Sequence, residues 1–180
     1  AVERQQKYVS ERGAFEIVSN PEITPRYSWQ NTNIDNAMTG WGMEPLVEKY
    51  GEDAVREKIS EMFESLAGGM KVTRLFGKTR SERTTDSMSI VHIWIGSHFP
   101  LFRHGHPAAG DCLYHVVAGE LMLGRRGLRT GSSFFLPNGM PYKYSGGPNG
   151  AELLEIRAGA GEEGTPGMVF HETSLDAIQR

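Results

Sequence analysis

Apolar side chains fall along this chain in two rhythms. Between residues 45 and 67 they recur three and four positions apart. Val55, Ile59, Met62, Phe63 and Leu66 mark one face of an amphipathic helix, and Gly68 and Gly69 supply its stop. After Lys71 the rhythm shortens. β-Branched and aromatic residues gather in brief runs: SMSIVHIWI from Ser87 to Ile95, LYHVV from Leu113, ELMLG after Gly119, SSFFLP after Gly131 and ELLEIRAG from Glu152. Gly, Pro or Asn separates the runs at intervals of roughly 8–15 residues, which predicts an antiparallel sandwich or barrel rather than parallel strand–helix–strand units. GRRGLRTG and SGGPNG read as hairpin connections. Residues 1–43 follow neither rhythm. Their NPEITPRYSWQNTNIDN stretch reads as an ordered arm whose Tyr27, Trp29 and Trp41 pack on the main body or on a second subunit.

The organisation expected is therefore one domain: an arm with an amphipathic helix over 1–70, then an all-β barrel with a C-terminal tail over 71–180. A chain of 180 residues is long enough to bury a sizeable core. With 38% hydrophobic and 23% charged residues it is globular in composition rather than disordered. A net charge of −3 argues against a nucleic-acid partner, which would call for a basic stripe. No apolar run approaches the ~20 residues that cross a bilayer, so no membrane partner is expected. AVERQQKYVSERG has no apolar core of a signal peptide. A single cysteine fits a reducing, cytoplasmic setting.

Candidate chemistry is concentrated in FRHGHPAAGDCLYHVVAGELMLG, Phe102 to Gly124. In an extended segment, residues two apart point to the same face. His104 and His106 then lie side by side, and two imidazoles so placed bind one metal ion through nitrogen. HGHPAAGDCLYHVVAGE resembles the first motif of the cupin superfamily: His-x-His, a short loop, a Glu, then a strand ending in Gly. GSSFFLPNGMPYKY, Gly131 to Tyr144, resembles the second, with Gly131, Pro137 and Gly139 in register. The resemblance spans roughly Ser87 to Gly159 and implies a single cupin-like jelly-roll barrel. It also implies a divalent metal held by two histidines, a glutamate and a later histidine.

Here the sequence departs from the family. Tyr142 stands at the position of the later histidine. The glutamate position is Cys112 counting back from HVVAG and Asp111 counting forward from His106. A one-residue shift reverses the face, so an unbulged strand cannot turn both inward. Asp111 would complete a two-histidine, one-carboxylate triad suited to Fe(II). Cys112 would favour zinc, or iron with thiolate. With neither, Tyr142 is left as a ligand or as a general acid or base.

Tyr114, His92 and Arg103 are candidate substrate contacts, Arg103 through a substrate carboxylate. His98, His115 and His171 carry weaker claims, since a histidine takes its role from its neighbours. The resemblance implies a metal-dependent enzyme on a small organic molecule, a dioxygenase or a lyase or isomerase, with Fe(II) favoured and Zn(II) the other candidate. The alternatives are a metal-free barrel that binds a small ligand and a structural, partner-binding barrel. A homodimer is expected, because the aromatic arm and the helix stripe need cover.

Overall fold

The amphipathic stretch folds as two helices. Strand β1 (Gln6–Val9) pairs antiparallel with β2 (Glu16–Ser19), and α1 (Ile34–Gly40), α2 (Glu44–Tyr50) and α3 (Glu52–Gly69) follow. Gly51 divides α2 from α3 with φ 85°, a conformation that costs glycine little and other residues much. Glu52 and Asp53 then place negative charge at the N-terminal end of α3, where the helix dipole favours it. The structure, a computed structural model, describes residues 6–9, 16–19, 34–76, 88–159 and 167–179. Tyr27 and Trp29 of the arm lie outside these residues.

All five stripe residues of α3 are buried. They share one core with Trp41, Phe102 and the barrel interior. Trp41 meets Phe63 edge-on at 5.6 Å and stacks on Phe102 at 6.4 Å. Each such side chain contributes roughly 1.5–3 kcal/mol by leaving water. The stripe is thus covered by this chain's own barrel, which removes one of the two reasons for expecting a second subunit.

The body is all-β and antiparallel, the architecture the sequence predicts. Strands β3 (Met70–Phe76), β4 (Met88–Ile95), β6 (Asp111–Leu123), β7 (Arg126–Arg129), β8 (Ser133–Leu136) and β9 (Ser145–Ala158) make one six-stranded sheet. Its order is β3-β4-β9-β6-β7, with β8 pairing the start of β6. Alternation sets the faces: Val91, Ile93 and Ile95 of β4, Cys112, Tyr114 and Val116 of β6, and Leu153 of β9 all point into the core. A short second layer closes over that inner face. In it β5 (His104–Gly105) pairs with β10 (Val169–Phe170) on one side and bridges Tyr142 on the other. A 3₁₀ turn, Leu175–Gln179, follows. Among the described residues no helix is long and apolar enough to cross a membrane.

Two local expectations are corrected. LYHVV and ELMLG are one strand, β6, which runs through Gly119 with irregular register on either side of it. Gly119 has φ 74°, and a Cβ there would overlap the carbonyl oxygen of Gly150. SGGPNG is not a hairpin loop but the first part of β9. GRRGLRTG does turn the chain, from β6 into β7, with Leu123 opposite Arg126.

Candidate functional site

The histidine segment is extended because both its edges are hydrogen-bonded. His104 N–H donates to Tyr142 O at 3.1 Å, and Tyr142 N–H donates back to His104 O at 2.9 Å. This two-way bridge seats the His-x-His strand directly against the residue at the later-histidine position. Asn138 fixes the loop beyond. Its amide Nδ2 donates to Pro107 O at 2.8 Å, and its Oδ1 accepts from Gly110 N–H at 3.1 Å.

His104 is 4% exposed and His106 half-buried. Their rings meet edge-on, 4.8 Å apart. Nδ1 of His104 lies 2.9 Å from Phe102 O, and Nδ1 of His106 lies 2.9 Å from Gly167 O. A carbonyl only accepts, so each Nδ1 carries a proton, and in a neutral ring the lone pair is then on Nε2. Histidines that bind metals are held in this way, the second nitrogen anchored to a carbonyl or carboxylate. Burial, with the neighbouring His106, pushes the His104 pKa down to about 3. Its imidazole is therefore neutral, the form that coordinates.

Tyr142 sits against both rings, 4.5 Å from His104 and 6.2 Å from His106. Behind it runs a buried polar chain. Arg157 Nε donates to Glu155 Oε1 at 2.7 Å, Tyr114 O–H donates to Glu155 Oε2 at 2.7 Å, and the Tyr142 and Tyr114 oxygens are 2.7 Å apart. Burial alone would raise the Glu155 pKa. The Arg157 guanidinium, the His106 imidazole and the hydrogen bonds outweigh it and hold the carboxyl at about 2. Glu155 is thus an anion that only accepts, and the one Tyr114 proton goes to it. The Tyr142 proton must then point to Tyr114. What Tyr142 offers on its other side is an oxygen lone pair. Burial and the charge of Glu155 also raise the Tyr142 pKa, so it keeps its proton.

The sequence left Asp111 and Cys112 open, and the register separates them. Cys112 is 1% exposed and points inward opposite Arg157. Asp111 is exposed, and its Oδ1 accepts from Asn138 N–H at 2.8 Å. Of the candidates, the structure brings together His104, His106, Tyr142 and Tyr114, with Cys112 on the same interior face. It does not bring Asp111, Arg103 or His92. Arg103 is exposed. His92 is on the outer face of β4, its Nε2 3.0 Å from Glu152 Oε2. His115 is on the outer face of β6 with Ser133 Oγ. Burial pushes the Cys112 thiol up to about 12, so it is a thiol rather than the thiolate that binds metal. An apolar cavity of about 230 Å³ between α3 and Pro100–Phe102 includes neither site histidine in its lining.

Sequence reasoning missed Glu155, Arg157 and Tyr144. The signal was present in ELLEIRAG, where Leu153, Glu155 and Arg157 alternate onto one face of a strand. A carboxylate and a guanidinium sharing a face with a core leucine mark a buried pair.

Only part of the ligand set that the resemblance implies is grouped here. Among the described residues no three His, Cys, Asp or Glu side chains are grouped to hold an ion, so the four-ligand cage of the cupin pattern is absent. What the structure groups instead is the two imidazole rings and the neutral Tyr142 phenol, with ring centroids 4.5–6.2 Å apart.

No family model and no curated protein matches the chain. Solved structures similar to part of it include three with the following likeness. KdgF from Halomonas sp. is 17% identical, over 49% of this chain and 78% of that one, with TM-score 0.41. An RmlC-like cupin from Shewanella frigidimarina is 22% identical, over 54% and 80%, with TM-score 0.41. The polyketide cyclase RemF from Streptomyces resistomycificus is 19% identical, over 61% and 76%, with TM-score 0.46. Likeness at this level says nothing of substrate or reaction. The cupin resemblance rests on this chain's own features: the two motifs lie on β5–β6 and on the β8–Tyr142 segment, hydrogen-bonded to each other around one interior.

Proposed function

We propose that this chain is a metal-dependent enzyme of cupin type acting on a small organic molecule, with His104 Nε2, His106 Nε2 and Tyr142 Oη as its ligands. The observation that carries the proposal is the direction of the hydrogen bonds. Ionised Glu155 takes the Tyr114 proton, Tyr114 takes the Tyr142 proton, and the carbonyls of Phe102 and Gly167 take the two imidazole protons. Acceptor lone pairs on His104 Nε2 and Tyr142 Oη are thereby left on adjacent rings, 4.5 Å apart, with the His106 ring 4.8 Å from His104, and a cation among these rings is our reading of them. A bound divalent ion would supply Lewis-acid polarisation of a carbonyl or carboxylate oxygen.

The chain's own residues bind and orient. Arg157 holds Glu155 ionised, Glu155 fixes Tyr114, and Tyr114 fixes Tyr142. With its pKa raised, Tyr142 holds its proton and is not the general base. The Asp111 carboxylate that would complete an Fe(II) triad faces outward. That favours lyase or isomerase chemistry over a dioxygenase, and Zn(II) over Fe(II). The metal-free ligand-binding barrel remains the second reading, favoured by the protonated, buried Cys112 at the expected glutamate position. Self-association as a homodimer belongs to the proposal too. It is supported by an outer-face patch in which Phe135, 58% exposed, stands opposite Leu113, 40% exposed.

Equilibrium dialysis against Zn(II) tests the site. One ion per chain is expected in the native protein. None should bind the His104→Ala/His106→Ala double variant, and Tyr142→Phe should weaken affinity by at least roughly tenfold, as loss of even a supporting group does. Failure of the native chain to bind, or stoichiometric zinc in the double variant, would overturn the proposal.

A further inference from the structure

One peptide group joins the histidine strand to the C-terminal segment. Its carbonyl, that of Phe102, accepts from His104 Nδ1 at 2.9 Å. Its N–H, that of Arg103, donates to Glu172 Oε1 at 2.7 Å. The peptide is trans, so the two bonds leave in opposite directions, one toward the imidazole and one toward the carboxylate.

Glu172 is not a surface residue. Its side chain is 9% exposed, and Lys143 Nζ donates to the same Oε1 at 3.0 Å. A carboxylate is costly to bury, and its presence here calls for a reason. Tying down the C-terminal segment is not reason enough, because that segment has other ties. β10 pairs with β5, His171 N–H donates to Arg103 O at 2.9 Å, and Phe170 N–H donates to Trp41 O at 2.8 Å. The Phe170 ring packs on Phe102 with centroids 5.2 Å apart. What the carboxylate adds is a charge-assisted bond to the one peptide that anchors His104. Such bonds are about twice as strong as neutral ones. An N–H so engaged also polarises its peptide and makes the carbonyl at the other end a better acceptor.

We infer that Glu172 is a positioning residue for His104. It fixes the Phe102–Arg103 peptide, and that peptide decides which imidazole nitrogen carries the proton and where the ring points. Lys143 balances the charge of Glu172. The ring is held in this way with or without an ion, and only the effect of Glu172 on zinc rests on the metal reading above.

The tautomer is read by NMR of the full chain labelled with ¹⁵N-histidine, at pH 8, where an imidazole of ordinary pKa, ~6.5, is neutral. The two ring nitrogens of a neutral imidazole are distinct, so the spectrum shows which one is protonated. His104 is identified as the signal lost in His104→Ala. In the native chain its proton should sit on Nδ1 alone. Glu172→Ala should let the Nε2–H form appear. Zinc affinity, by the dialysis above, should fall roughly 10–100-fold, the usual loss for a partner behind a metal-bound histidine. Glu172→Gln keeps an oxygen for the Arg103 N–H but not the charge, and should lie between. Val55→Ala trims a fully buried position of α3 that takes no part in this network, and should change neither reading. If Glu172→Ala does not fold, Glu172→Gln decides, by the same change in smaller measure. A His104 that stays wholly Nδ1–H in the Glu172 variant overturns the inference. So does the same change of tautomer in Val55→Ala, or a changed tautomer with zinc affinity unaltered. A native chain that binds no zinc overturns the metal reading, and the tautomer alone then decides the role of Glu172.

Discussion

One residue of register decides what β6 presents to the barrel interior. Asp111 and Cys112 are adjacent, yet one ties down the loop at Asn138 and the other is sealed in the core opposite Arg157. The backbone pleat makes the choice, and loop length alone leaves it undecided. Counting from His106 crosses a loop of free length, whereas counting back from Gly119 stays on the strand. The pleat also makes a prediction. Asp111→Asn and Cys112→Ser should each leave zinc affinity within about twofold, because neither side chain is among the three acceptors. A loss of tenfold or more in either variant, by the same dialysis, would add that residue to the coordination sphere. At this scale the sequence exposed the histidines and Tyr142. The direction of Tyr142's hydrogen bond was not legible, because it depends on Glu155 of β9 acting through Tyr114 of β6.

Elements with a strong period were legible, and elements defined by their neighbours were not. The stripe from Val55 to Leu66 announced α3, and the β-branched run from Ser87 announced β4. The division at Gly51 was hidden, since the apolar spacing does not register a single residue at positive φ. β3 was also hidden: MKVTRLF becomes a strand by pairing with β4 along Met70–Ile95 to Phe76–Ile90. SGGPNG looked like a turn because glycine is usual there. In β9 its glycines instead let backbones approach, as where Gly119 meets Gly150. For α3 the expected outcome is energetic. Phe63 is 5% exposed and packed by Trp41. Phe63→Ala should cost about 3–5 kcal/mol in chemical denaturation, the usual cost of emptying a buried aromatic site. A change below about 0.5 kcal/mol, the size of a surface substitution, would show that the helix face is not part of the barrel's core.

For the whole molecule, the buried site sets its tolerance of acid. His104 has a folded pKa of about 3 against 6.5 unfolded, and Glu155 about 2 against 4.5. Both folded values lie below the unfolded ones, so as pH falls the unfolded chain takes up protons that the native chain excludes. Stability of the metal-free protein should be complete above pH 6.5 and fall below it at roughly 1.4 kcal/mol per pH unit for each titrating group. The histidine contributes down to about pH 3, and the glutamate from about 4.5 to 2. Urea midpoints measured from pH 8 to pH 3 check this, and a flat profile between 6.5 and 4.5 would mean that His104 is not buried as a neutral ring. The central claim, an ion held by His104, His106 and Tyr142 and not by the cysteine, is tested most directly by X-ray absorption at the zinc edge of the loaded protein. The prediction is one zinc per chain in a shell of light atoms, with the outer scattering of two imidazoles and no sulfur. A sulfur neighbour near the ~2.3 Å of a zinc–thiolate bond, or a shell without imidazole, would contradict it.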